Sequence, residues 1–246
     1  MYNTLVYQPI LSGLIFLYKL LGNNLGLAII VLTLVIRVVL IPLTLPSMKS
    51  AKKIAGLKPE LDALRRKYAK DQKSLQEKTL ELYKKNNVNP AGGCLPYLVQ
   101  IVFLIALYQV FIDALGNGSL NGTVIQTQFL LWNLKEKDTT LTLPILSGIL
   151  QLLTSLAIMP GVEDDPKKRP GKKEEKEDVA EMASAMQQQM VFLMPAMTVF
   201  FALQFPSGLA LYWTVTTAFS FVQQLIVSGP GGLKKYLDRL PGRRSN

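Results

Sequence analysis

Four apolar stretches of near-bilayer length, Leu25 to Leu45, Leu95 to Ile112, Leu141 to Pro160 and Leu209 to Val227, constrain this chain more than anything else in it. The hydrocarbon core of a bilayer is about 30 Å thick and takes about 20 apolar helical residues to cross. These stretches therefore predict transmembrane helices. A fifth, Met190 to Leu203, is shorter, but the uncharged Gln187, Gln188 and Gln189 extend it on one side. With hydrophobic residues at 49% of the chain, the expectation is an all-α polytopic membrane protein with five transmembrane helices.

The distribution of charge says which way such a chain would run. Of the 27 Lys and Arg residues, twelve fall between Pro46 and Cys94, six between Pro160 and Gln189, and five after Ser228. The segment Gly116 to Thr140 holds only Lys135 and Lys137, and the N-terminal segment only Lys19. Basic residues accumulate in cytoplasmic loops, so the N-terminus is expected outside and the C-terminus in the cytoplasm. That arrangement needs an odd number of spans, which supports the short fifth candidate. The net charge of +10 would suggest nucleic acid in a soluble protein; here it reads as topology, and no DNA partner is expected.

The expected segments are an outer interfacial segment (1–24), a first span (25–45), a cytoplasmic helical hairpin (46–94), a second span (95–115), an outer loop (116–140), a third span (141–160), a flexible cytoplasmic loop (161–186), a fourth span (187–204), an outer turn (205–208), a fifth span (209–228) and a basic cytoplasmic tail (229–246). Ile10 to Leu21 is too short to span and carries Lys19, which suits an interfacial helix. Met1 to Asn24 lacks the basic start and cleavage site of a secretory signal. In the hairpin, Ile54, Leu57, Leu61, Leu64 and Tyr68 recur at helical spacing over Met48 to Tyr68, and a second helix is expected over Lys73 to Asn86. It reads either as a solvated spacer or as a docking surface for anionic lipid, a ribosome or an incoming chain. Gly161 to Asp178 has few apolar side chains to offset the entropy of ordering.

Residue usage excludes several chemistries. There is no histidine, so Ser-His-Asp and Cys-His catalysis and histidine-ligated metals are out, and the lone Cys94 cannot form an internal disulfide. It reads as a small buried residue. Neither a metal, a cofactor nor an enzymatic activity is expected.

Arg37 is the only charge in the first span, roughly 18 Å from one end of that stretch and 12 Å from the other at about 1.5 Å per residue. A charge so deep costs roughly 2.5 to 3.5 kcal/mol on insertion scales and normally faces a protein or water cavity. Thr33, Arg37 and Thr44 lie within about 40° of one another on a helix, giving the first span a polar stripe. Ser147, Gln151, Thr154 and Ser155 form another on the third span, and Trp213, Thr216, Thr217, Ser220 and Gln224 a third on the fifth, with Gln100 and Tyr97 a smaller patch on the second. Each could be ordinary interhelical packing. Together they could line a hydrated pocket around Arg37. Met186, Met190, Met194 and Met197 form an adaptable apolar face on the fourth span.

IRVVLIPLT around Arg37, the basic hairpin, NPAGGCLP from Asn89 to Pro96, and FPSGLALYW from Phe205 to Trp213 together resemble the YidC insertases of bacteria, relatives of mitochondrial Oxa and chloroplast Albino proteins. The resemblance covers almost the whole chain. Neither the large extracytoplasmic domain of many Gram-negative members nor the lipoprotein signal of many Gram-positive ones is expected here. The resemblance implies five helices around a hydrophilic groove, open to cytoplasm and lipid and closed to the outside, in a bacterial plasma (inner) membrane. By motif position Arg37 matches the groove arginine, and Gln151 and Trp213 match polar and aromatic groove residues; Thr33 and Tyr212 are weaker additions, and Gln100, Thr217 and Ser220 join through their stripes.

The activity implied is insertion of nascent membrane proteins, alone or beside the Sec translocon, with a ribosome and membrane lipids as further partners. An acidic substrate tail would be drawn to Arg37, and the apolar segment would leave along the third and fifth spans. A small-anion transporter and a non-inserting assembly scaffold are the alternatives; the first would call for repeat symmetry, and none is visible here.

Overall fold

In the computed structural model the described residues are 2–69, 71–89, 95–117, 119–120, 123–158 and 179–234. They are mostly helical, as expected of an all-α chain. A π-helical turn, Asn3–Tyr7, leads into α1 (Gln8–Leu20), whose Ile10, Leu11, Leu14 and Tyr18 are buried at helical spacing. That face packs on α2 and α6, so the segment expected at the outer interface also contributes to the core. Gly22 and Asn23 at positive φ end the helix, and the Asn24 side chain accepts from Leu27 N–H to start α2 (Leu25–Val39).

The stretch expected as a single first span is broken. At Leu40 the chain bends by 66° into α3 (Ile41–Gly56). Pro42 has no N–H to give to the preceding turn, and its ring crowds the carbonyl there. The hairpin helix expected from Met48 to Tyr68 is broken too: α3 stops at Gly56, and Pro59 opens the first turn of α4 (Lys58–Lys67). Asp71 caps α5 (Gln72–Lys85) by accepting from Ser74 N–H at 3.0 Å. Neither α4 nor α5 has a buried residue; Leu57 just before α4 and Val88 after α5 are buried instead.

Helix α6 (Leu95–Asn117) is followed by two short antiparallel hairpins, β1 (Ser119–Leu120) with β2 (Thr123–Val124) and β3 (Gln128–Phe129) with β4 (Trp132–Asn133). Helix α7 (Thr142–Ile158) lies between α8 (Val179–Gln204) and α9 (Ser207–Ser228), and these are the most extensive helix contacts in the molecule. The fourth span's helix begins earlier than expected, at Val179, so the last part of the expected loop is helical. The outer turn is likewise shortened, with Ser207 and Gly208 already in the first turn of α9. Residues 90–94, including Cys94, loop residues 161–178 and tail residues 235–246 lie outside the described residues, as do the side chains of Tyr97, Met186 and Met190.

Among the described residues, α9 is the one helix long and apolar enough to cross a membrane by itself, and α2 with α3 would do so as one bent span. The apolar parts of α6, α7 and α8 with described side chains are shorter, 10–17 residues, although α6 and α8 run to 23 and 26 residues in full. Their outward faces are apolar: Ile101, Ile105 and Ile112 on α6, and Phe192, Leu193 and Phe200 on α8, are all exposed.

One end of the bundle is covered by the segment after β2. Gln126 N–H donates to the Tyr18 hydroxyl at 2.9 Å, and Phe129 lies against Gly26, where an added Cβ would sit 2.1 Å from its ring. Ser207 donates to Glu136 O through both its N–H and its hydroxyl, each at 2.6 Å, and Gly208 N–H donates to Leu134 O at 3.1 Å. The first turn of α9, whose donors have no helical partner, is thereby satisfied by this segment.

Candidate functional site: a polar cleft around Arg37

Helix α2 presents Leu25, Ala28, Ile29, Leu32 and Thr33 to the core, and one further turn along the same side brings Arg37 to the edge of that buried stripe. There it meets α6 and α9. Its guanidinium donates to Gln100 Oε1 at 2.6 Å, and Gln100 Nε2 donates to the Tyr212 hydroxyl at 2.5 Å. Thr33, Ile36, Leu40, Leu43, Thr44 and Phe103 complete a narrow cleft around these three. Its free volume is about 10 Å³, which is room for about one water molecule.

The electrostatics are one-sided. The ion pairs among the described residues are Arg65 with Asp62 and Lys78 with Glu81, both on the hairpin, and no carboxylate lies within 4.0 Å of Arg37. A half-buried guanidinium thus has a neutral side chain as its acceptor. Five N–H donors in a planar fork match a carboxylate in shape and charge, so the arrangement is suited to receiving an anionic group. No group of three or more His, Cys, Asp or Glu that could hold a metal occurs among the described residues.

Of the eight groove residues expected from sequence, four, Thr33, Arg37, Gln100 and Tyr212, come together here, with Thr44 of the same polar stripe beside them. The other four are elsewhere. Trp213 stacks on Phe205 at 6.4 Å, and Phe205 meets Tyr108 edge-on at 6.1 Å. Gln151 is half-buried on α7 and does not line the cleft. Thr217 and Ser220 donate to their own helix, to Trp213 O and Thr216 O. On α7, Ser147 and Thr154 do the same, to Pro144 O and Leu150 O. Thr214 bonds Ala210 O and reaches across to Leu143 O at 3.3 Å, so α7 and α9 form a close helix interface. Ile36, Leu40, Leu43 and Phe103 are the cleft residues that sequence reasoning missed; apolar side chains in apolar spans carry no signal there.

The profile of the 60Kd inner membrane protein family matches residues 16–231, a stretch that includes every residue of the cleft. The chain belongs to that family. Among its relatives, membrane protein insertase MisCA of Bacillus subtilis is 33% identical over 230 residues, covering 92% of this chain and 78% of the relative. Membrane protein insertase YidC of Fusobacterium nucleatum is 34% identical over 209 residues, covering 85% and 88%. The YidC of Wolinella succinogenes is 36% identical over 227 residues, but that match covers only 37% of the longer relative. Membership of an inner membrane family agrees with the apolar outward faces of α6 and α8.

Proposed function

We propose that this chain is a membrane protein insertase that receives nascent or small membrane proteins and passes their apolar segments into lipid. The observation that carries the reading is Arg37, a cation held between apolar helices with a neutral acceptor and no carboxylate within 4.0 Å among the described residues. The insertase names of its relatives agree with it. An acidic tail on the substrate would be attracted to the guanidinium. Its outward passage is helped by a potential positive outside, at about 2.3 kcal/mol per charge per 100 mV.

Because the cleft has room for about one water, the helices must part before a polypeptide can be admitted. The apolar segment leaves along the third and fifth spans, α7 and α9, where Ile145, Leu146 and Ile149 on the one and Val222 and Ile226 on the other are exposed apolar side chains. Helices α6 and α8 add exposed apolar side chains of their own, among them Ile101, Ile105, Phe192 and Phe200. The reading keeps the N-terminus outside, the α4–α5 hairpin and basic tail in the cytoplasm, and a ribosome or Sec translocon as partners there.

The test is reconstitution. Purified protein in liposomes is expected to insert a purified single-span substrate, scored by protease protection, with no flux of small anions. Anion flux without insertion would favour a transporter, and neither activity an assembly scaffold.

A further inference from the structure

We infer that Gln100 is a neutral stand-in for the substrate's carboxylate: it holds Arg37 in the closed cleft, and its displacement by an acidic tail is the event that frees α6 from α9. This deepens the insertase reading and rests on it. Arg37 has only donors, so the Gln100 atom that faces it must be Oε1, which leaves Nε2 for the Tyr212 hydroxyl. The contacts have that polarity, at 2.6 Å and 2.5 Å. One side chain on α6 is therefore bonded to α2 on one side and α9 on the other.

The bond to Tyr212 is also the one side-chain hydrogen bond between α6 and α9 among the described residues. The contact between these two helices is slight compared with that between α7 and α9. A tie at this point has a large share in keeping the cleft shut.

The competition at Arg37 is unequal. Bonds between a guanidinium and a carboxylate are charge-assisted, roughly twice as strong as neutral ones, and a carboxylate can take both arms of the fork where a single amide oxygen takes one. A neutral tail has no such advantage over Gln100. Gln100 thus acts as a positioning residue for Arg37 and sets a threshold: it keeps the guanidinium aimed into the cleft, and it yields to an acid in preference to a neutral group.

The experiment uses the full chain in liposomes and one purified single-span protein made with an acidic or a neutral tail, and it reads the ratio of the two insertion rates. Gln100→Glu places an internal carboxylate of nearly the same shape on Arg37, which cancels the guanidinium's pull on an acidic tail, so the acidic-to-neutral ratio is expected to fall about tenfold. Gln100→Leu removes the tie that a neutral tail cannot displace, so its acidic-to-neutral ratio is expected below the wild-type value. Each ratio is internal to one preparation and does not depend on how much protein folded. Should Gln100→Glu yield no folded protein, the Gln100→Leu ratio decides, and a value at or above wild type overturns the stand-in role. An unchanged Gln100→Glu ratio overturns it as well. In both cases insertion by the wild-type protein leaves the insertase reading in place, whereas no insertion by wild type with either tail removes both.

Discussion

Gln223 on α9 donates its amide to Thr44 Oγ1 at 2.9 Å, joining the last helix to α3 just past the 66° bend that follows Arg37. Lys52 Nζ makes a second such link, to Val227 O at 3.3 Å. The bend is thus held from outside, by α9, as well as set from within by Pro42. Polar links between membrane helices average about 0.6 kcal/mol, with a maximum near 1.7. Gln223→Leu and Thr44→Val are each expected to cost an amount in that range by thermal unfolding in detergent. The double variant should cost less than the sum, and full additivity would mean that the bond contributes nothing.

Arg37 is expected to act through its charge. Insertion of an acidic-tailed substrate should fall in the order wild type, Arg37→Lys, Arg37→Ala, Arg37→Glu, because lysine keeps the charge and loses the planar fork. The Arg37→Glu defect, about tenfold or more with an acidic tail, should shrink with a neutral tail and again with a basic one. An equal defect for all three tails would make Arg37 a structural or hydrating element.

Two glycines on α9 and α3 should respond oppositely to alanine. At Gly208 an added Cβ would lie 2.4 Å from the Phe111 ring and 3.1 Å from Leu134 O, an overpacking expected to cost about 1–3 kcal/mol. Phe111→Leu in the same chain should restore part of it. At Gly56 nothing lies within 4 Å, and Gly56→Ala is expected to be neutral or to stabilise by up to about 1 kcal/mol. Both are read from thermal unfolding.

Asp138, 5% exposed, closes the loop between β4 and α7 onto α7. Burial pushes its carboxyl up, but bonds from the Thr140 hydroxyl, Leu143 N–H, Thr140 N–H and the Thr142 hydroxyl outweigh this and hold it below the usual carboxylate range. The native state therefore favours the ionised form. The associated stability is complete above the unfolded value of about 3.9 and is lost as pH falls through the lower folded value. Asp138→Asn is expected to be less stable than wild type near pH 7, with the gap narrowing below about pH 4. A gap independent of pH would rule out a charge contribution.

Orientation can be read with single cysteines in a Cys94→Ser background. Ser207 is a poor position for labelling, since it is 1% exposed and bonded to Glu136. Leu131, 73% exposed at the tip of the β3–β4 hairpin, is a better one. An impermeant reagent is expected to label Leu131→Cys from outside and to leave Lys73→Cys untouched. Labelling of Lys73→Cys from outside would invert the proposed topology.

Much of this molecule is legible in its residues. The apolar runs mark α2, α6, α7, α8 and α9, because helices of that length and hydrophobicity have few other ways to satisfy their surfaces. Arg37 announces itself as the one charge in its run, and Asn24 and Asp71 cap helices where Asn and Asp ordinarily do. The two broken helices were legible as well, in Pro42 and Pro59, but an apolar run that continues past Pro42 and an amphipathic one that continues past Pro59 masked them.

What periodicity could not supply is the rotation of each helix about its own axis. Tyr212 and Trp213 are adjacent in one motif, yet about 100° of helical turn separates them, so packing alone sends one hydroxyl to Gln100 and the other ring to Phe205. Gln100 and Gln151 are equally plausible partners for an arginine by composition; the first is close because α6 stands beside α2, while the second belongs to a helix enclosed by α8 and α9. The hydroxyls of Thr217 and Ser220 could have faced a cleft or their own backbone, and a carbonyl one turn back is always within reach. Residue type and spacing determined that this chain has apolar helices and one deep cation. Which neutral groups meet that cation was decided by tertiary packing, because local periodicity sets which residues share a face and only the neighbouring helices set where that face points.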